Sequence, residues 1–267
     1  MKALAVAGFG KLGSALVRGA LAHGVVAPSS VAAWARSEAR QSQARELGLA
    51  VVDWPEVLHA APVILLALKP QAFASMAEKA PRLPPETLVI SVMGGWKASA
   101  IGARLGTNRV IRAMPSVAAA VGAGTTAICV PEGMPQAQAN FAEAFFRAAG
   151  SVVRIPEEAM DAATAVGASG VGFACEFLES LERAALESGL APEAAAALAL
   201  GAIEGAAAAV RKGLGTPSEV REQVTSPGGT TAAGIAALRA GHLQDTVRRA
   251  VRAACDRAAE LGAAPKA

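Results

Sequence analysis

The stretch KALAVAGFGKLGSALVRGAL, residues 2–21, decides the fold. Its first six residues form a short apolar run that stops at Gly8-Phe9-Gly10-Lys11-Leu12-Gly13 and continues into an amphipathic segment at 14–21. This reads as strand, glycine turn and helix. In a dinucleotide site of this pattern Gly8 makes the tight turn and Gly10 lets backbone approach a pyrophosphate. Gly13 lets helix and strand pack closely, and Lys11 and Leu12 open the helix whose first amides face the phosphate.

A second apolar run at 31–34, VAAW, is the expected second strand. A site for NADH usually places an acidic residue at the end of that strand to take the ribose hydroxyls. Here the chain gives Ala35-Arg36-Ser37. A guanidinium and a hydroxyl suit a ribose 2′-phosphate, so NADPH is expected over NADH.

Further along, short β-rich runs at 63–68, 88–92, 109–113, 125–130 and 152–155 alternate with helical stretches at 14–22, 37–47, 55–58, 70–80, 96–105 and 135–148. Such alternation implies α/β architecture, a doubly wound and mostly parallel sheet that keeps its ligands at the carboxyl ends of the strands. Three strand ends carry unusual residues: Leu68-Lys69-Pro70-Gln71, Met93-Gly94-Gly95 and Arg112-Ala113-Met114-Pro115-Ser116. Lys69 is expected to steady a phosphate or ribose oxygen, and Gly94 and Gly95 to let the nicotinamide end approach backbone.

Beyond residue 156 the pattern holds no convincing strand. Helices are expected at 157–188, 192–212, 217–223, 228–240 and 243–261, so the chain divides into 1–156 and an all-helical 157–267. The five helices are rich in alanine, and faces this apolar imply at least a homodimer. Within them lies Val224-Thr225-Ser226-Pro227-Gly228-Gly229-Thr230-Thr231. Pro227 fixes φ near the value of a first helical residue, two glycines bare the amides, and hydroxyls follow within a turn. The expected result is a cradle for a carboxylate or phosphate.

Composition bounds the rest. Length 267 suffices for two modest domains, and the hydrophobic fraction of 53% comes largely from alanine. No charge-free apolar run reaches the roughly 18 residues a membrane helix needs; the nearest, 191–210, contains Glu193 and Glu204. The N-terminal run is too short for a signal peptide, and no membrane partner is expected. Cys129, Cys175 and Cys255 are scattered and odd in number, which fits reduced thiols in a cytoplasm and gives no metal-ligand spacing. A net charge of +3 argues against nucleic acid.

These motifs together resemble the pyrroline-5-carboxylate reductase family from end to end. GFGKLG at 8–13, LKPQ at 68–71, RAMPS at 112–116, VGAGTT at 121–126 and above all VTSPGGTT at 224–231 fall in that family's order and spacing. The resemblance implies an N-terminal Rossmann-like domain, a C-terminal all-helical dimerisation domain, and NADPH-dependent reduction of a cyclic imino acid, 1-pyrroline-5-carboxylate, to L-proline. It further implies an active site between one subunit's cofactor domain and the helical domains of a homodimer, with dimers often building into decamers. Ser226 and the backbone of Gly228, Gly229 and Thr230 would take the substrate carboxylate, and Thr231 Oγ the ring nitrogen. Departures matter too. The family's SGSGPAY is Gly167-Ala168-Ser169-Gly170-Val171-Gly172-Phe173 here, its usual Asn after MP is Ser116, and a Glu seen in some members is replaced near Leu214, while Asp161 and Thr164 match. The altered segment leaves room for a six-membered piperideine carboxylate, or for a weakly active or non-catalytic NADPH-binding paralogue. A β-hydroxyacid dehydrogenase of the same architecture is disfavoured, since residues 171–186 lack the lysine that chemistry uses.

Overall fold

A computed structural model describes residues 2–263 of the chain. Eight strands make one sheet: β1 (Leu4–Ala7), β2 (Val31–Trp34), β3 (Ala50–Val51), β4 (Val63–Leu66), β5 (Leu88–Ser91), β6 (Val110–Pro115), β7 (Gly124–Cys129) and β8 (Gly150–Arg154). Their order is β3-β2-β1-β4-β5-β6-β7-β8, all neighbours parallel except β6 and β7. The chain therefore reverses direction of travel between β1 and β4, and the crevice above that point is where a doubly wound sheet binds a dinucleotide. Strand β3, only two residues long, had no sequence signal of its own.

Period-two alternation sorts the strand side chains into two cores. Leu4, Val6, Leu65, Ile90 and Ile111 pack with Leu16, Val17, Phe145 and Phe146. The intervening Ala5, Ala7, Ile64, Leu66, Val89 and Val110 pack with Val57, Phe73, Trp96 and Leu105 on the other face. Burial on both faces explains why these strands read as unbroken apolar runs. The covering helices are α1 (Lys11–Ala22), α2 (Glu38–Glu46), α3 (Pro70–Glu78), α4 (Ala98–Leu105) and α5 (Gln136–Arg147). Trp96 locks α3 to the start of α4: fully buried, it meets Phe73 edge-on at 4.8 Å and donates Nε1–H to the Pro70 carbonyl at 3.0 Å.

The helix expected at 55–58 is a single 3-10 turn, Glu56–His59. The single helix expected at 157–188 is four pieces. A 3-10 turn (Glu157–Ala159) leads into the short α6 (Met160–Ala163), then a π turn (Thr164–Ala168), then α7 (Ser169–Glu187). Two glycines and no polar cap in 164–170 leave nothing in the local sequence to announce the break, and a π turn of this kind is common beside functional sites.

The chain forms two compact units, one running to Val171 and resuming at Ala253, the other spanning Gly172–Arg252. This differs from the expected 1–156 and 157–267: the entry segment 157–171 and the end of the last helix belong with the sheet. Residues 1 and 264–267 of that division lie outside the described residues. The second unit holds most of α7, then α8 (Pro192–Arg211), α9 (Pro217–Gln223), α10 (Thr230–Ala240) and the start of α11 (Leu243–Ala263). Among its described residues only Ala195 and Ala199 are buried, whereas Leu198, Val224 and Val247 are half or more exposed. Helix α8 is long and apolar enough, by length and composition, to cross a membrane, although it carries Glu193 and Glu204.

Candidate functional site

The glycine turn after β1 has the geometry its sequence predicts. Gly8 sits at φ +108°, where a side chain would strike the Ala67 carbonyl of β4's extension. Its N–H and that of Phe9 both donate to the Trp34 carbonyl, at 3.1 and 3.0 Å, pinning the turn between two strand ends. A Cβ at Gly13 would run into the Gly8 carbonyl, so this glycine sets how closely α1 packs. At Gly10, the N-cap of α1, a Cβ would meet nothing within 4 Å. The first ladder bond runs from Ser14 N–H to the Gly10 carbonyl, which leaves the amides of Lys11, Leu12 and Gly13 without intrahelical acceptors. An open glycine beside bare helix amides is a fit for a pyrophosphate.

Above this turn lies a cleft of about 620 Å³ in the first unit. Gly8, Phe9 and Gly10 form one wall, Leu68, Lys69 and Gln71 another, and Trp34, Ala35, Arg36, Ser37 and Arg40 a third. Arg36 is exposed and, among the described residues, has no ion-pair partner. Ser37 is the N-cap of α2, yet its hydroxyl makes no capping bond. Lys69 is the N-cap of α3 with Pro70 as first helical residue. Lys11 and Leu12 line a neighbouring hollow over α1 instead of this cleft.

The residues after β5 separate. Met93 is buried in the second core, its N–H held by Ser91 Oγ at 3.3 Å, so its side chain is structural. Gly94 is open. Gly95, at φ +73°, is taken up by the protein itself: a Cβ there would meet backbone of Leu261 and Gly262 near 3 Å. Both glycines nevertheless line one hollow, Gly94 open to it and Gly95 backed by α11. Arg112 and Ser116 are buried, and neither lines the cleft over the glycine turn. The hollow beside the two glycines, of about 540 Å³, is lined by Pro70, Gln71, Gly94, Gly95, Trp96, Asp161, Thr164, Ser169 and Arg257 among others, all of the first unit. The π turn and the start of α7 thus bring Thr164 and Ser169 to one hollow with Gln71.

The stretch 224–231 lies in the second unit. Helix α9 starts with a reciprocal capping box, in which Glu219 N–H donates to Thr216 Oγ1 at 3.3 Å and Thr216 N–H to Glu219 Oε2 at 2.7 Å. The Thr216 N–H that donates to it holds the Glu219 carboxyl below its ordinary range. The helix closes with Thr225 Oγ1 donating to the Arg221 carbonyl at 2.6 Å. The chain then turns: Gly229 N–H donates to the Ser226 carbonyl at 3.0 Å, with Pro227 and Gly228 at the corners and Gly228 at φ +70°. That is the arrangement in which proline precedes a residue of positive φ. Helix α10 accordingly begins at Thr230, with Gly229 as N-cap, two residues later than expected, and Pro227 belongs to the turn instead of the first helical position. Thr230 and Thr231 open the helix with amides that have no intrahelical acceptor, no side chain caps them, and both residues are exposed. The bared amides the sequence predicts are present, two residues later than expected.

Among the described residues no cluster of three His, Cys, Asp or Glu side chains offers a metal site. Cleft residues the sequence reading assigned no role are Arg40 and Trp34. Arg40 alone had a signal, its spacing of one helical turn from Arg36.

A sheet with this switch point, a glycine turn over bare helix amides and a cationic ribose end define a dinucleotide-dependent oxidoreductase of the Rossmann type, carrying a separate helical unit. The comparisons with known proteins agree. The family described as pyrroline-5-carboxylate reductase dimerisation matches residues 157–261, and that described as NADP oxidoreductase coenzyme F420-dependent matches 3–95. The pyrroline-5-carboxylate reductase of Synechocystis is 35% identical over 97% of this chain and 98% of its own, and that of Thermus thermophilus 34% over 97% and 98%. Solved structures agree in shape. The Plasmodium falciparum pyrroline carboxylate reductase with NADP bound gives a TM-score of 0.87 at 26% identity over 98% of both chains. The Coxiella burnetii pyrroline-5-carboxylate reductase gives 0.88 at 29% over 97% of this chain and 98% of its own. The chain belongs to the pyrroline-5-carboxylate reductase family.

Proposed function

We propose that the protein reduces 1-pyrroline-5-carboxylate to L-proline with NADPH, the final step of proline biosynthesis. The observation that carries this reading is the turn and helix start at 225–231, a carboxylate cradle with a hydroxyl one residue inside it, in a chain that covers its relatives nearly end to end.

NADPH, when bound, supplies the hydride. Gly8, Gly10 and Gly13 shape the turn, the amides of Lys11 and Leu12 meet the pyrophosphate, and Arg36 and Ser37 take the 2′-phosphate. Leu68, Lys69 and Pro70 border the ribose, and the backbone around Met93 and Gly94 borders the nicotinamide. Ser226 and the amides of Gly228, Gly229 and Thr230 hold the substrate carboxylate. Thr231 Oγ accepts a hydrogen bond from the ring N–H of the protonated imine, which keeps the ring in its electrophilic form and fixes its face. As the hydride reaches the imine carbon, the C=N π pair becomes the lone pair of the amine nitrogen, and no further proton is required. The enzyme's contribution is orientation and exclusion of water, so no lysine or histidine base is assigned.

Reaction requires the cradle and the cofactor to meet, and the reading assigns that meeting to a homodimer. The exposed apolar residues of the second unit support a partner copy, and α8 reads as part of that packing surface, not a membrane span. Assembly to a decamer and a cytoplasmic location follow from the same family reading. The second reading, a six-membered ring substrate, rests on one observation: a Cβ at Gly167 or Gly172 would meet nothing within 4 Å. NADPH oxidation with five- and six-membered imino acids tests both readings.

A further inference from the structure

Arg36 is not the only guanidinium in the cofactor cleft. Arg40 stands one helical turn further on, in α2, and lines the same cleft. The two differ physically. Arg36 lies on the exposed turn between β2 and α2, so ordering it on a ligand costs side-chain entropy. Arg40 is half-buried on a helix, and its Nη1 donates to Gln43 Oε1 at 2.8 Å, which holds the guanidinium before any ligand arrives. The turn itself is braced: Gln41 Nε2 donates to the Ala35 carbonyl at 3.0 Å, and the N–H groups of Arg40 and Gln41 converge on the Ser37 carbonyl.

The nearest acid is also removed from play. Glu38, in the first turn of α2, pairs with Arg45 at 2.6 Å and does not line the cleft. The cleft's ribose end therefore presents two cations, an uncommitted Ser37 hydroxyl and no carboxylate among its described lining residues. Nothing but an anion suits that set, and a preorganised donor loses less on binding than a mobile one.

Resting on the NADPH reading above, we propose that Arg40 is the principal determinant of NADPH over NADH, with Arg36 secondary. The test measures binding, not turnover: titration calorimetry of full-length protein with 2′,5′-ADP and with 5′-AMP, which differ by the 2′-phosphate alone. Arg40→Gln is expected to weaken 2′,5′-ADP about 10- to 100-fold, the scale of losing a charge-assisted hydrogen bond, while 5′-AMP changes less than about twofold. Arg36→Gln is expected to weaken 2′,5′-ADP by a smaller factor, and Arg40→Lys to restore part of the loss. Unchanged 5′-AMP binding certifies that each variant is folded. Equal losses for both nucleotides, or a larger loss from Arg36→Gln than from Arg40→Gln, overturns the proposal. A wild-type protein that binds the two nucleotides equally overturns the NADPH reading and the proposal with it.

Discussion

Arg112 and Glu157 meet at 3.1 Å, a buried guanidinium of β6 against a carboxylate at the first turn beyond the sheet. The same oxygen, Glu157 Oε1, accepts the Ala98 N–H that opens α4, at 2.8 Å. One atom thus satisfies a charge that is 94% removed from solvent and caps a helix 59 residues away in sequence. Removing it strands the arginine, which costs more than the pair contributes. Glu157→Ala should destabilise the protein by about 2–3 kcal/mol, and Glu157→Gln by less, because the amide oxygen still accepts the Ala98 N–H. Thermal unfolding at fixed protein concentration checks this; equal melting points for Ala and Gln variants would contradict the shared-oxygen account.

Cys129 is the cross-strand neighbour of Arg112. Burial pushes its thiol above the ordinary value, and the Glu157 carboxylate adds to the effect. The folded state therefore holds this proton more tightly than the unfolded chain, so the group weakens folding only as pH rises past the unfolded thiol's pKa. At neutral pH Cys129 should alkylate more slowly than the same cysteine in unfolded protein, and Glu157→Gln should speed it. Peptide mapping after timed iodoacetamide labelling reads both rates, and labelling as fast as in the unfolded chain would refute the assignment.

Gly10 and Gly13 should separate stability from binding. Gly10 faces open space, whereas Gly13 is pressed on the Gly8 carbonyl. Gly10→Val is expected to melt within a few degrees of wild type yet bind NADPH at least tenfold more weakly. Gly13→Val should lose folded protein outright. Wild-type cofactor affinity in Gly10→Val would remove the turn from the site.

Glu143 lies between Arg154 and Arg147, whose hydrogen bonds hold its carboxyl below the usual range. A depressed folded pKa stabilises above the unfolded value near 4.5 and loses that stabilisation as pH falls through the folded value. Arg154→Ala should therefore lower the melting point at pH 7 more than at pH 3. An equal shift at both would assign the loss to packing.

Much of this was legible in the sequence because short-range physics determines it. Gly8 and Gly13 fill places that only glycine fits, whereas Pro227, read as a first helical residue, belongs to the turn before α10. The buried strands announce themselves as apolar runs. What stayed hidden depends on contacts distant in sequence. The packing of Leu261 on Gly95, the pairing of Arg112 with Glu157 and the place of Met93 in one core with Phe73 and Trp96 all join residues far apart in sequence. The break at Thr164–Ala168 and the assignment of 157–171 to the sheet unit are tertiary in the same sense.

The role of Thr231 has a specific kinetic signature. Thr231→Ala should lower turnover ten- to a hundredfold, the scale of one positioned hydrogen bond, with NADPH affinity unchanged, and Thr231→Ser should recover most of the rate. An unaltered turnover in the alanine variant would take the hydroxyl out of the mechanism.

The central claim is the substrate itself. Purified protein oxidising NADPH with 1-pyrroline-5-carboxylate, run beside the six-membered 1-piperideine-6-carboxylate, tests it most directly. The account predicts faster turnover of the five-membered ring; preference for the six-membered ring, or no turnover of either, would contradict it.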